Sequence, residues 1–316
     1  MTTPIGFVLL VNPYHKLAQS ARLIHKLNAL FDSPPIAVHH DFGKNPKFLD
    51  DCPENVRLVR PHIDTKWADF SCIEAAIQAL RLLYSGTNKP NWFVYLSGSD
   101  YPIKPAARIL ADFQASSVDA YIQHLPLQGR HSPTWWQRET SKRVCSVRVD
   151  VPWITRHLKL TLRRRQFSHP LFSRGRLPYS DHLKPYGGEA WFCANHRAAQ
   201  AILDFYDTDK ALADHCRQIL VPEETYFHTV LANNSSLKLS QDCLRYVDWS
   251  SDASPRRPMR LDELPNTAAS VGSHPRILTM NDLPRIQSSR AHFARKFDEQ
   301  IDPVILNELD HLTSGQ

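Results

Sequence analysis

The first hundred residues alternate between two periodicities, and that alternation restricts the fold more than any other feature of the chain. Ile5-Gly-Phe-Val-Leu-Leu-Val11 is a continuous apolar run of strand length, the pattern of a strand buried on both faces. Asn12-Pro13 breaks it, and Ala18, Leu23, Ile24, Leu27 and Leu30 then recur at helical spacing. Short strands follow at 35–39 and 55–59, and a long amphipathic helix over 67–83 turns Ile73, Ala76, Ile77, Leu80 and Leu83 inward. Trp92–Leu96 is a fourth strand. This order predicts an α/β chain with a mostly parallel, Rossmann-like sheet flanked by helices. Such sheets take ligands beyond the carboxyl ends of their strands, where Asp41 and Asp100 fall. By residue type, each is equally a turn or cap residue.

At 316 residues the chain is long enough for one large core or two smaller ones, and 42% hydrophobic with 22% charged residues is an ordinary globular balance. The formal charge of +6 points to an anionic partner: nucleic acid, a membrane surface, or the phosphates of a small molecule. Against nucleic acid, the cations are spread over many segments and no nucleic-acid module is recognisable. The six cysteines are scattered without a CxxC pair, which argues against a zinc site and for reduced, mostly buried thiols in a cytosolic protein. No run of about 18 apolar residues marks a membrane span. The short N-terminus, without a basic leader segment, reads as a first strand.

Residues 126–185 differ in character. Trp135, Trp136 and Trp153 stand among Lys142, Arg143, Arg148, Arg156, Lys159 and Arg163-Arg164-Arg165, with weak periodicity, as an elaborated basic and aromatic excursion from the sheet. Aromatics among cations suit a sugar or a nucleobase, and equally a solvated basic face; the arginine run also suits peripheral attachment to an anionic membrane. Gly187-Gly188-Glu189-Ala190-Trp191 returns to the core through a glycine turn into a strand, and a helix follows from about 196 to 206. In Pro222-Glu-Glu-Thr-Tyr-Phe-His-Thr-Val-Leu231, Pro222 suits a first helical turn, while Tyr226, Phe227, Val230 and Leu231 make one apolar face. Glu223 and Glu224 then sit at the helix mouth near the positive end of its dipole, where a carboxylate stays ionised. Arg245–Trp249 is one more strand, 250–273 a Pro- and Ser-rich loop, and 274–279 leads into a short helix.

Several segments together resemble one family, the inverting glycosyltransferases that include the Core-2/I-branching β-1,6-N-acetylglucosaminyltransferases and the peptide O-xylosyltransferases. They are Phe7–Val11, Ala37-Val-His-His-Asp41, Trp67-Ala-Asp-Phe-Ser71, Leu96-Ser-Gly-Ser-Asp-Tyr-Pro-Ile-Lys104 and Gly188-Glu-Ala-Trp-Phe192. The Pro222–Leu231 stretch, Leu244–Trp249, His274-Pro-Arg276 and Phe293-Ala-Arg-Lys-Phe-Asp298 complete the ordered set. The resemblance implies a GT-A-type fold without the Asp-x-Asp metal site, and a single catalytic domain over 1–316. Within it, 1–125 is the nucleotide-binding half, 126–185 a variable insertion and 186–316 the acceptor-binding and catalytic half.

The resemblance also distributes roles. Glu224 is the general base, Arg276 and Lys296 are the cations on the donor diphosphate, and Asp41 and Trp67 flank the uridine. Asp100 orients the donor or its loops, and Trp249 lies in the acceptor site with Glu189 and Trp191. Ser251 stands where the branching enzymes carry an aromatic residue, which separates this chain from their acceptor preference. The chemistry is coherent on its own terms. Departure of a nucleoside diphosphate needs positive charge, which fixed Arg and Lys side chains supply in place of a divalent metal. Single displacement needs one base, not a carboxylate pair. The expected partners are a UDP-sugar, N-acetylglucosamine before xylose, and a glycan or saccharide acceptor, with no metal cofactor. A sugar-binding relative without activity and a nucleic-acid-binding protein are the remoter readings. The expected setting is a bacterial cytoplasm, peripheral to the inner membrane face.

Overall fold

The computed structural model describes residues 3–11, 17–49, 51–127, 140–141, 144, 177–250 and 275–314. The tryptophans and cations singled out between 135 and 165, Ser251 and His274 lie outside the described residues. The expected alternation is present: β1 (Thr3–Val11), α1 (Leu17–Phe31), β2 (Ile36–His40), β3 (Val56–Leu58), α2 (Phe70–Tyr84) and β4 (Pro90–Ser97). β5 (Tyr101–Pro102), α3 (Ala106–Gln114), β6 (Ala120–Tyr121), β7 (Leu125–Pro126), β8 (Tyr186–Gly187) and β9 (Cys193–Asn195) follow. The chain continues through α4 (His196–Thr208), α5 (Lys210–Cys216), a 3₁₀ turn at Pro222–Glu224, α6 (Tyr226–Ala232), β10 (Leu239–Ser240) and β11 (Arg245–Val247). A second 3₁₀ turn at Met280–Asp282, α7 (Leu283–Ser288), β12 (Phe293–Arg295) and α8 (Pro303–Thr313) complete it.

The main sheet has the order β10-β6-β9-β4-β1-β2-β3. β1 pairs in parallel with β2 and β4, β2 with β3, and β6 with β10, while β9 is antiparallel to both β4 and β6. β1 shows why this sheet sits at the centre. Phe7, Leu9 and Val11 belong to one apolar cluster with Leu23 and Leu27 of α1, while Val8 belongs to the other with Ile73, Ile77 and Leu80 of α2. Successive side chains of a strand point to opposite faces, so an unbroken apolar run is what a strand with a helical layer on each side requires. Each such aliphatic side chain taken out of water contributes about 1.5–3 kcal/mol.

Three details depart from the sequence reading. Ala18 is exposed, and Gln19 and Ser20 take the buried positions at the start of α1. The helix expected from Trp67 begins at Phe70, because Asp69 is extended and its side chain accepts the Ser71 N–H at 3.1 Å as an N-cap. The strand expected to reach Trp249 stops at Val247 and lies in a separate three-stranded sheet, β11-β12-β5. That small sheet and α8 are tied back to α1: Arg22 and Lys26 both pair with Asp310, which also accepts the Tyr101 hydroxyl at 2.7 Å. Cys193, Cys216 and Cys243 are buried thiols, Cys72 is partly covered and Cys52 is exposed. Among the described residues no helix is long and apolar enough to cross a membrane.

Candidate active site

The parallel strands β1, β2 and β4 end together, and the loops beyond them meet the small sheet. Gln19 makes that junction: its amide donates to the carbonyls of Gly98 (3.0 Å) and Phe297 (3.2 Å), and its oxygen accepts the Glu299 N–H at 2.9 Å. Gly98 is packed on Ser20 so tightly that a Cβ would overlap the serine hydroxyl, which would have to rotate away to admit one. The Phe297 N–H donates to the Ser99 carbonyl at 2.9 Å, which fixes Asp100 beside the segment carrying Arg295 and Lys296.

Asp100 is fully buried. Its Oδ2 accepts the backbone N–H (2.8 Å) and hydroxyl (2.5 Å) of Ser97, while its Oδ1 lies 3.1 Å from Nη1 of Arg245, itself fully buried. Arg295 Nε stands 3.7 Å from Asp100 Oδ2, and the Arg295 guanidinium lies 4.9 Å above the Trp191 ring. Neither guanidinium is saturated: Nε and Nη1 of Arg245 and Nε of Arg295 are buried without a hydrogen bond, their approaches to Asp100 lacking hydrogen-bond geometry. At the floor of the site Arg245 and Arg295 thus share the buried Asp100, with Glu189 the next carboxyl to act on Arg295, and burial holds the Arg295 pKa below the usual arginine value.

Across this floor lies Glu189. The Trp249 indole N–H donates to Glu189 Oε1, and Trp191 packs on Tyr95 with ring centres 4.7 Å apart, so the three expected acceptor-side residues are brought together with Arg295. Burial pushes the Glu189 carboxyl from its ordinary 4.5 up to about 7, against the opposing pull of Arg295 and Trp249 and with the help of the Glu224 charge. Gly188 makes the turn possible, because a Cβ there would lie 2.6 Å from Gln123 Cβ and 2.7 Å from its carbonyl oxygen. The Gly188 N–H then donates to the Glu224 carbonyl at 3.0 Å, binding the backbone of the expected base to the neighbour of Glu189.

The acidic pair sits in the 3₁₀ turn Pro222–Glu224, and α6 starts only at Tyr226. Tyr226, Phe227, Val230 and Leu231 are buried, as their spacing requires. Of the two carboxylates expected to be ionised at a helix mouth, Glu223 has burial working against its charge. Burial, with the Glu224 charge, pushes its carboxyl up to about 7, and its Oε2 is buried without a hydrogen bond. The turn is entered through Val221 at φ 56°, whose N–H donates to the carbonyl of Ala68, also at φ 56°, at 3.1 Å. A left-handed backbone at a β-branched residue costs about 1–3 kcal/mol and persists only where its surroundings enforce it. The paired strained residues join the segment bearing Trp67 to the one bearing Glu223 and Glu224.

Trp67 itself is 75% exposed, a wide aromatic surface at the rim. Asp41 is buried and its oxygens are occupied. Oδ1 accepts the Gly43 and Lys44 N–H groups, while Oδ2 accepts the Thr65 N–H (2.9 Å) and pairs with the Lys44 ammonium (2.5 Å). These partners hold its pKa at about 2, burial opposing them. Asp41 thus clamps the turn after β2 to the segment leading to Trp67.

Arg276 and Lys296 lie on adjacent segments, since the Leu278 N–H donates to the Lys296 carbonyl at 2.9 Å. The Arg276 guanidinium is latched by two buried carboxylates. Its Nε and Nη2 donate to Asp248 Oδ2 at 3.0 and 2.9 Å, and Nη2 also donates to Asp282 Oδ1. The triad carries a formal charge of −1 and pins the turn that holds Trp249. Sequence reasoning misses the placing of Arg245 and Arg295 and the raised pKa of Glu223. Both arginines have the same signal: Arg295 lies inside the Phe-Ala-Arg-Lys-Phe segment and Arg245 inside Leu244–Trp249.

The Core-2/I-Branching enzyme family model matches residues 7–287. The chain is 26% identical over 273 residues to mouse (Mus musculus) xylosyltransferase 1, covering 83% of this chain and 25% of that protein. It is 23% identical over 269 residues to xylosyltransferase oxt of Drosophila melanogaster, covering 83% of this chain and 28% of that protein. It is also 23% identical over 268 residues to the beta-glucuronosyltransferase GlcAT14B of Arabidopsis thaliana, covering 81% of this chain and 52% of that one. The chain thus spans about a quarter of the length of these xylosyltransferases. The helix-flanked, mostly parallel sheet is of the GT-A type expected, and with a family match running through most of its length the chain belongs to the Core-2/I-branching enzyme family.

Proposed function

We propose that this chain is an inverting, metal-independent glycosyltransferase that moves a sugar from a UDP donor to a glycan hydroxyl, with Glu224 as general base. The observation that supports this reading is the gathering of Glu189, Trp249 and Trp191 with Arg295, the residue before Lys296, within the field of the Glu224 charge. In the proposed reaction Glu224 takes the acceptor hydroxyl proton as that oxygen attacks the anomeric carbon from the face opposite UDP. The bond from the anomeric carbon to the diphosphate breaks, and its electron pair stays on the β-phosphate oxygen. Lys296 and the unsaturated guanidinium of Arg295 supply positive charge to that oxygen in a site drier than bulk water. Arg276 contributes where phosphate oxygens displace Asp248 or Asp282; otherwise it holds the Trp249 turn. Trp67 offers its exposed ring to the uracil, Asp41 and Asp100 hold the loops of the donor side, and Glu189, Trp191 and Trp249 line the acceptor side.

For the sugar, N-acetylglucosamine is the reading drawn from the branching enzymes. Xylose is favoured by the two xylosyltransferase relatives, and glucuronate by the plant relative's name. The experiment is a comparison of UDP release and transfer from UDP-N-acetylglucosamine, UDP-xylose and UDP-glucuronate to a saccharide panel, with EDTA present. Glu224→Gln should lower turnover at least ~100-fold while UDP affinity stays within about twofold. Unchanged turnover in that variant removes Glu224 from the role, and activity lost in EDTA and restored by manganese removes metal independence.

A further inference from the structure

An open surface cavity of about 650 Å³ lies at the opposite end of the central sheet, between the last residue of α2, the entry to β4, the outer flank of α4 and the 234–237 turn. That is within the size range of small-molecule sites. The candidate catalytic residues lie beyond the carboxyl end of β4, whereas Lys89 precedes Pro90 at its start, so the two are separate sites.

Six side chains give the cavity its chemistry: Tyr84, Lys89, Gln200, Asp204, Phe205 and Asn234. The Tyr84 hydroxyl is shielded from water and makes no hydrogen bond, so Tyr84 gives the wall ring surface and not a polar contact. Gln200 Nε2 donates to Asp204 Oδ1 at 2.7 Å, which holds an amide and a carboxylate side by side on one flank of α4. Phe205 is half-buried beside them and supplies an apolar surface. The charge of the cavity is balanced. Arg197 is spent on Asp119 and on the Ser236 carbonyl, the α4 N-terminus is capped by Asn195, and Lys89 offsets Asp204. A phosphate has no excess positive charge to meet there. A neutral polyhydroxylated ligand does meet fitting groups: acceptors at Asp204 and Gln200, donors at Lys89 and Asn234, and an aromatic face for its C–H groups.

We propose that this cavity is a second, non-catalytic carbohydrate subsite for a neutral oligosaccharide, such as a distant stretch of a polymeric acceptor. The choice of carbohydrate rests on the glycosyltransferase reading; the existence and location of the site do not. The test titrates the full chain with cellotriose, maltotriose and chitotriose by calorimetry and saturation-transfer NMR, with and without saturating UDP, and repeats it in Glu224→Gln. At least one trisaccharide should bind in the millimolar range, unaffected by UDP or by Glu224→Gln. Gln200→Ala/Asp204→Ala, both exposed positions, should weaken it about tenfold with no change in melting temperature. Persistence of this binding where Glu224→Gln leaves turnover intact would separate the subsite from the fate of the catalytic reading. Absence of binding by all three sugars, equal binding in the double variant, or displacement by UDP overturns the proposal.

Discussion

Replacing Arg276 with Ala tests how the late cations are used. Asp248 and Asp282 are 0% and 1% exposed, and removing the guanidinium strands both carboxylates in the protein interior. Breaking a buried ion pair from one side costs about 3–5 kcal/mol, and since the Arg276 side chain keeps 21% of its surface in water, the lower end, about 3 kcal/mol, is the appropriate figure. At about 2–4 °C per kcal/mol for a chain of this size, melting should fall by roughly 6–12 °C in a calorimetric scan. Arg276→Met combined with Asp248→Asn and Asp282→Asn removes the whole charged set and should recover most of that loss, because no charge is then left buried and unpaired. The same carboxylates decide the ligand role. In Asp248→Asn/Asp282→Asn the guanidinium keeps its place and loses both counter-charges, so UDP affinity should rise severalfold where Arg276 reaches the diphosphate. A melting temperature for Arg276→Ala within about 2 °C of the parent would refute the latch.

Glu223 and Trp67 give two more expected outcomes. Glu223 has its folded pKa raised from 4.5 to about 7, so the folded state holds the proton more tightly and its stabilising effect, full at acidic pH, is lost as pH rises through that interval. Glu223→Gln should therefore gain stability relative to the parent above pH 7, by at most about 3 kcal/mol, and little below pH 5. Melting curves that stay parallel from pH 5 to 9 count against this. Trp67→Ala should weaken UDP binding about tenfold, the size of one base-stacking contact, while the melting temperature hardly moves because the ring is exposed; equal affinity in calorimetry would take the indole out of the donor site.

The first half of the fold is legible because its signals are local. An unbroken apolar strand, a helical stripe and a strand-end Asp each arise from residues within one element, and the main parallel pairings β1–β2 and β1–β4 agree with their order. Periodicity extends the helix back to Trp67 because it cannot register that Asp69 is extended and caps a helix beginning at Phe70. The site is legible as a set of positions and much less as a set of charge states. Arg276 reads as a simple cation in any sequence; its neutralisation depends on Asp248 and Asp282, 28 and 6 residues away. The pKa of the Glu223 carboxyl is raised chiefly by burial, which the letters do not carry. The clasp of α8 through Asp310 leaves no local mark, since Arg22 and Lys26 find that partner 288 and 284 residues later.

The small sheet explains why acids and cations alternate across the site. β12 carries Phe293 and Arg295 two residues apart, so one side chain packs into the core while the next on that face reaches Trp191 and the field of Glu189. Glu189 is thereby poised between burial, which favours its proton, and Arg295 with Trp249, which favour its charge. The Glu224 charge tips that balance towards the proton. Where Glu224 accepts the acceptor's proton, this repulsion vanishes, and Glu189 becomes more acidic at the moment its neighbour turns neutral. Glu189→Gln, which cannot respond, should flatten the acidic limb of the pH–rate profile as well as weaken acceptor binding. An acidic limb unchanged in shape would show that Glu189 only positions the sugar.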